Sequence, residues 1–366
     1  MNEFDDIRPF TDEEYQQEVR KLTADPNFVG VLSYLYKAPG MSDGILKLMN
    51  SLNTIDGLQS QVVVPLLDQI IKSSTQGLTF SAMEQFDPAG NYMFISNHRD
   101  IVLDSAFLNK IMHENKFKKT EIAIGDNLLI YPWITTLVRL NRSFIVRRNL
   151  SIREQLDASK KLSAYMRYAL TEKKQSVWIA QREGRTKNGN DQTQPALLKM
   201  MNMSNSKSLV EGFKELNIVP MAISYEIEPC GILKVEELLN RKHDPNFAKS
   251  KSDDLRSMSQ GVIQPKGRVH FAFGNPLSLK IEELCNGLKP NEALQAITEY
   301  IDKRIYFNYK LWPNNYIAAD LLENNNRHQA HYTAAEKEAF EQRMDAELSS
   351  IAFDRAESLP MYLNMY

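Results

Sequence analysis

Cysteine is almost absent from this chain. Cys230 and Cys285 are the only two in 366 residues, and they make no CxxC pair. A disulfide framework is thereby excluded, and two reduced thiols in a cytosolic protein are the expectation. Long apolar runs are missing as well. The longest clean stretch, 218–223, is far below the ~20 residues of a membrane span, so any lipid would be met from the surface. Neither charge sign dominates: 44 Lys and Arg stand against 46 Asp and Glu, and no global field argues for nucleic acid. The glycines form neither a P-loop nor a dinucleotide fingerprint. The opening MNEFDDIRPF is acidic and has no signal-peptide core, which points to the cytoplasm.

What is present is a change of texture along the chain. Residues 1–75 read as a helical region: Thr11 and Glu14 form a capping box, Pro26 opens a segment, and Val63, Leu66, Leu67, Ile70 and Ile71 recur at helical spacing. From residue 76 short apolar runs alternate with longer amphipathic ones. Strands are expected at 78–86, 92–97, 121–125, 143–147, 176–181, 218–225 and 268–273, with the strand at 218–225 beginning or bulging at Pro220. The clearest intervening helix is 151–171, where Ser151 and Glu154 form a capping box. The pattern predicts an α/β fold, a mixed and largely parallel sheet of about seven strands flanked by helices. Residues 240–266, polar and rich in Ser and Lys, read as a loop or insertion. The domain boundaries expected are 1–75, 76–330 and a helical tail at 331–366, where Thr333 and Glu336 make another capping box.

In such sheets functional side chains gather where strands end. Four of these junctions carry unusual residues. In Asn97-His98-Arg99-Asp100-Ile101-Val102-Leu103-Asp104 a buried strand stops at a histidine with carboxylates a few residues on. That is what general-base activation of a hydroxyl needs: histidine takes the proton, and a carboxylate fixes its tautomer. In Asn141-Arg142-Ser143-Phe144-Ile145-Val146-Arg147-Arg148 arginines bracket an apolar strand. In Gln181-Arg182-Glu183-Gly184-Arg185-Thr186-Lys187 a strand runs into a glycine loop with three cations around Glu183, a pattern suited to phosphate or carboxylate. The fourth, 218–226, is a buried strand ending in Ser224-Tyr225-Glu226. The remaining histidines, His113, His243, His270, His328 and His331, show no metal-ligand spacing, and neither metal nor cofactor is expected.

These four blocks, in this order, resemble the glycerophospholipid acyltransferase family, which contains the glycerol-3-phosphate and 1-acylglycerol-3-phosphate acyltransferases. Its NHxSxxD, GxFFIRR, FPEGTRS and VPVxISYE blocks correspond to Asn97 through Asp104, Arg142 through Arg148, Gln181 through Lys187, and Val219 through Glu226. The resemblance implies transfer of a fatty acyl group from acyl-CoA or an acyl carrier protein to a hydroxyl of a glycerophosphate or lysophospholipid acceptor. It implies catalysis by His98 with Asp104, and acceptor binding by Arg147, Arg148, Arg182, Glu183, Gly184, Arg185 and Lys187. Peripheral contact with the inner face of a membrane goes with it. The Met-rich run Leu197 to Met203 is a candidate wall for the acyl chain.

The chain also departs from the family pattern. The usual four residues between histidine and aspartate would land on Leu103. Five residues separate His98 from Asp104, while Asp100 is only two positions beyond His98. One residue of helix is ~100° of turn, so either Asp104 reaches back across a longer turn capped by Asp100, or Asp100 is the partner. Arg142 replaces a glycine, Arg182 a proline, and Arg185-Thr186 inverts the usual order. Two other readings stand beside the acyltransferase: a metal-dependent phosphoester hydrolase using His98, Asp100 and Asp104 with Glu183 and Glu226, and a catalytically inactive acyl-carrier or lipid-binding protein on the same fold.

Overall fold

The apolar runs become strands because alternate side chains find an apolar partner on each side of one sheet. In the computed structural model, which describes residues 3–36 and 40–366, the strands are β1 (Leu78–Ser81), β2 (Met93–Ser96), β3 (Glu121–Gly125), β4 (Ser143–Val146), β5 (Val177–Ala180), β6 (Ile218–Tyr225) and β7 (Val269–Phe273). They form one seven-stranded sheet in the order β1-β7-β6-β2-β5-β3-β4. Every pairing is parallel except β6 with β7. The expected mixed, largely parallel sheet is the one observed. Four strands lose one residue at one or both ends, and two expectations change further. β1 stops at Ser81 because Ala82 takes a left-handed φ of 61°, which breaks the ladder. Pro220 neither starts nor bulges β6: register with β2 runs unbroken through Ile95 and Pro220, and the pairing with β7 begins only at Met221.

Met93, Ile95, Val177, Ile179 and Ile218 face one core, shared with helices Ile152–Thr171, Pro195–Met201 and Pro290–Asn308. Phe94, Trp178, Val219 and Ile223 face the other, closed by helices Val64–Ser74 and Leu103–Glu114. Two further clusters lie beside the sheet. The first holds Tyr15, Val19, Leu22, Phe28, Leu32 and Leu58 with Leu140. The second holds Val235, Leu239, Ile317, Phe340, Met344 and Tyr362. Among the described residues no helix is long and apolar enough to cross a membrane.

The stretch 240–266 corrects the loop expectation. It holds the end of helix Gly231–His243 and the whole of helix Lys251–Ile263. The second starts at a capping box built from Ser250 and Asp253, whose carboxylate takes the Ser250 N–H at 2.8 Å. An aspartate in place of the usual glutamate disguises the box, and the few apolar residues make a stripe only when the helix lies on helix Val64–Ser74, with Val262 entering the core.

Parallel order matters for chemistry. β2, β4, β5 and β6 run the same way, so all four unusual junctions emerge at one edge of the sheet, and β2 and β5 are neighbours. That edge is where α/β sheets carry their sites.

Candidate active site

The turn after β2 is fixed from both sides. Asn97 mimics a strand residue, accepting from the Ile223 N–H at 2.8 Å and donating to the Ile223 carbonyl at 2.8 Å. His98 follows, its ring edge-on to Trp178 at 5.5 Å. His98 Nδ1 lies 2.8 Å from Asp104 Oδ2. The same oxygen accepts the Arg99 N–H at 2.6 Å and the Asp100 N–H at 3.1 Å. Asp104 is fully buried and sits in the first turn of helix Leu103–Glu114, where backbone N–H groups favour a negative charge.

Asp100 has the other task. Its Oδ1 accepts from the N–H groups of Val102 at 2.9 Å and Leu103 at 2.7 Å, which caps the helix. The extra residue is thus absorbed in the turn, and the carboxylate that reaches His98 is that of Asp104. Asp100 Oδ2 is buried without a partner, beneath Gly261, where any Cβ would run into it. Burial first, and the nearby Asp104 second, push the Asp100 carboxyl above its ordinary range.

The cations divide. Arg148 Nη1 meets Glu183 Oε1 at 2.8 Å, and Gly125 leaves space for it, since a Cβ there would lie 2.7 Å from Arg148 Nε. Arg147 is exposed at the end of β4. Arg182 reaches Asp191 at 3.2 Å, and Asp191 Oδ2 in turn accepts the His98 N–H at 3.4 Å. Gly184 takes a φ of 74°, a conformation that favours glycine, as the loop turns. Two expected anion ligands are placed otherwise. Arg185 is buried with its charge against Cys230, Asp100 and Glu228, because the inverted Arg185-Thr186 order sends the arginine inward and leaves Thr186 to bond the His98 carbonyl through its N–H at 2.8 Å. Lys187 is paired with Glu237. The loop after β5 therefore offers the site Arg182 and the Arg148–Glu183 pair, not a ring of free cations.

Residues 77–224 match the protein-family model described as Acyltransferase. They form an acyltransferase domain. The family that the four blocks resemble is borne out to that extent. Among solved structures, the 1-acyl-sn-glycerophosphate (LPA) acyltransferase PlsC from Thermotoga maritima covers 82% of this chain and 99% of its own, at 10% identity and a TM-score of 0.39. An overlap that loose carries no argument. No curated protein matches the chain.

Much of what holds the acyltransferase domain's His98 turn lies beyond residue 224. Arg99, buried, makes an ion pair with Glu228 at 3.0 Å and donates to the Met365 carbonyl at 3.1 Å. Lys234, also buried, pairs with Glu228 at 2.9 Å and donates to the Arg99 carbonyl at 3.1 Å. Burial alone would raise the Glu228 carboxyl, but Lys234 and Arg99 outweigh it and hold it below its ordinary value. Burial likewise pushes the Lys234 ammonium down, to about 8. The loop after Lys187 is pinned from the same side: the Gly189 N–H donates to the Asn364 carbonyl at 2.6 Å, and Tyr306 Oη to the Asp191 carbonyl at 2.7 Å. The Tyr225 hydroxyl is buried, near Asp104 and Asp100. Sequence reasoning assigned no part to Arg99, Asp191, Tyr225, Glu228 or Lys234. Arg99 and Tyr225 lie inside the first and fourth blocks and Glu228 two positions past the fourth, which is the signal available; Asp191 and Lys234, a lone lysine in an amphipathic helix, give none.

His98 opens into a cleft of about 1980 Å³, against the roughly 300–1,000 Å³ that suffices for one small-molecule ligand. Its apolar arm includes Leu67, Val31, Tyr34 and Leu137. The Met-rich helix Pro195–Met201 splits between two roles: Leu198 and Met201 are core, while Leu197 and Met200 line the cleft. The two carboxylates a phosphoester hydrolase would recruit are already engaged, Glu183 by Arg148 and Glu226 by Arg268. Among the described residues no three His, Cys, Asp or Glu side chains are grouped to hold a metal ion.

Proposed function

We propose that this acyltransferase moves a fatty acyl group from a thioester, acyl-CoA or acyl carrier protein, to a hydroxyl of a glycerophosphate or lysophospholipid acceptor, with His98 as general base. The observation that carries the reading is the 2.8 Å contact between His98 Nδ1 and the buried Asp104, in a histidine that lines the cleft. With Nδ1–H donating to the carboxylate, Nε2 is the basic nitrogen left for the substrate.

In this reading Nε2 takes the acceptor's proton as its oxygen attacks the thioester carbonyl. The imidazolium, stabilised by Asp104, then returns the proton to the departing thiolate. The oxyanion needs N–H donors. Those of His98, Arg99 and Asp100 are already bonded to Asp191 and Asp104, which leaves the Gly184 loop as the source. The acceptor's phosphate is assigned to Arg148, Arg147 and Arg182, ordered by Glu183, and the acyl chain to the apolar arm. The lipid acceptor would be met at a membrane surface.

The test is thiol release from acyl-thioesters by wild type and His98→Ala across glycerophosphate and lysophospholipid acceptors. Acceptor-dependent release should fall ~10²–10⁴-fold in the variant. Equal rates in the two proteins would overturn the mechanism, and the panel names the acceptor.

A further inference from the structure

A second cationic group lines the same cleft, on the wall formed by residues outside the acyltransferase domain. Arg241 stands in the last turn of helix Gly231–His243, and Phe247 and Lys249 lie on the connection to helix Lys251–Ile263. Lys187 meets them from the loop after β5. All four border the cleft that holds His98.

Their charges converge on one buried carboxylate. Glu237, whose side chain is 5% exposed, is shared by Lys187, by Arg241 at 3.1 Å and by Lys249 at 3.3 Å. Lys249 has a second partner, Asp254, at 3.0 Å. Three cations thus face two carboxylates, and half of the Arg241 side chain remains open to solvent. The crowding is felt by Lys187, which is lowered from its ordinary value by burial first and by Arg241 and Lys249 in addition, against the opposing pull of Glu237. An added anion would relieve it. Beside the charges lies an aromatic face: the Phe247 ring is half-buried, with the Arg241 guanidinium 5.9 Å from its centre. Guanidinium and ammonium groups receive phosphate, and an aromatic ring with an arginine over it receives a planar base. Phosphate and base together describe a phosphorylated nucleotide.

We propose that Arg241, Lys249 and Phe247 bind the phosphorylated nucleotide end of a coenzyme A thioester, with Lys187 holding Glu237 beneath them, so that the donor is acyl-CoA and not a carrier-protein thioester. This rests on the thioester-donor reading above and selects between its two donors. The carrier protein's pantetheine arm also carries a phosphate but no base, and the arms of the test separate the two.

The experiment has a binding half and a turnover half, both on the full chain. Adenosine 3′,5′-bisphosphate is titrated calorimetrically into wild type, the double variant Arg241→Gln/Lys249→Gln, and Arg241→Lys as a charge-preserving control. Loss of charged phosphate contacts should weaken binding about tenfold or more in the double variant and less in Arg241→Lys. In turnover, the KM for acyl-CoA should rise about tenfold relative to the KM for the same acyl group on N-acetylcysteamine, which lacks the nucleotide. No saturable nucleotide binding to wild type overturns the proposal, as does an equal KM change for both thioesters, or a carrier-protein thioester whose turnover the nucleotide does not inhibit. Nucleotide binding lost in the double variant, in a protein that transfers no acyl group from any thioester, would leave the site standing and refute the acyl-transfer reading instead.

Discussion

The helices before the sheet and those after it attach to the acyltransferase domain in opposite ways. The earlier set packs Tyr15, Val19, Phe28 and Leu32 into its own apolar cluster, and closes on the domain through Leu140 and Leu137. Its polar contacts with the domain, such as Asp56 with Lys119 and Gln59 with Arg142, lie away from the His98 turn, and its cleft-facing residues Val31, Tyr34 and Leu67 are apolar or aromatic. The later set reaches the turn itself with buried charge: Glu228 between Arg99 and Lys234, and the carbonyls of Asn364 and Met365 on Gly189 and Arg99. Apolar packing is non-directional and sets the shape of a space. Buried ion pairs and hydrogen bonds are directional, and a missing partner is expensive. On this comparison the N-terminal helices shape the apolar arm of the cleft, and the later segments hold the turn that carries His98.

Three substitutions break or sharpen that contrast. Glu228→Gln should have the largest effect, because it leaves Arg99 and Lys234 buried without a counter-charge. A loss of about 3–5 kcal/mol in denaturant unfolding is expected, with kcat reduced for every acyl chain length. A loss below about 1 kcal/mol would show that the network is ornamental. Next, Leu67→Ala, at a site that is buried yet beside the cleft, should cost about 2–3 kcal/mol, the low end for Leu→Ala, since an open cleft wall relaxes more easily than a closed core. Its functional signature should be a shift in acyl-chain preference toward longer or bulkier chains, with kcat for short chains within about twofold of wild type. A uniform fall in kcat would erase the distinction between the two helical regions.

The smallest effect, and the most specific, is the pH dependence of Asp100→Asn. The wild-type carboxyl is raised in the folded state, so across the window above its ordinary pKa the folded protein holds more protons than the unfolded one. Stability then falls as pH rises through that window. Asparagine caps a helix as well as aspartate does, so the two proteins should agree within about 0.5 kcal/mol at pH 4. The difference should move in favour of Asn as the pH is raised to 8. A constant difference across the range would refute the buried, unpartnered Asp100 oxygen as a source of the pH effect.

The strand order could not be read from the chain, but the strands could. The short apolar runs at Ile122-Ala123-Ile124 and Ile218 through Ile223 are bounded so sharply that the expected 121–125 and 218–225 match the observed strands to the residue. His98 was visible as a polar residue ending an apolar run. Choosing Asp104 over Asp100 needed the path of the turn, since both carboxylates are near His98 in sequence and only backbone geometry decides which N–H groups each one meets. Arg185 and Lys187 show the converse failure. A cation in a glycine loop looks available until a carboxylate from far along the chain is placed beside it, and Glu228 and Glu237 come from 43 and 50 residues farther on (228 − 185 and 237 − 187). The helix Lys251–Ile263 was missed because its apolar stripe is thin, and packing on another helix stabilises it more than its own propensity does.

By itself the sequence determined the elements, the α/β class and the four blocks, because periodicity, capping and block spacing are local properties of the chain. Tertiary structure decided the partners: which carboxylate orients His98, which cations stay open to a substrate, and which buried ions hold the turn. Those depend on the meeting of side chains far apart in sequence, where Coulomb energy and desolvation are set by distance and burial, and no local pattern encodes either.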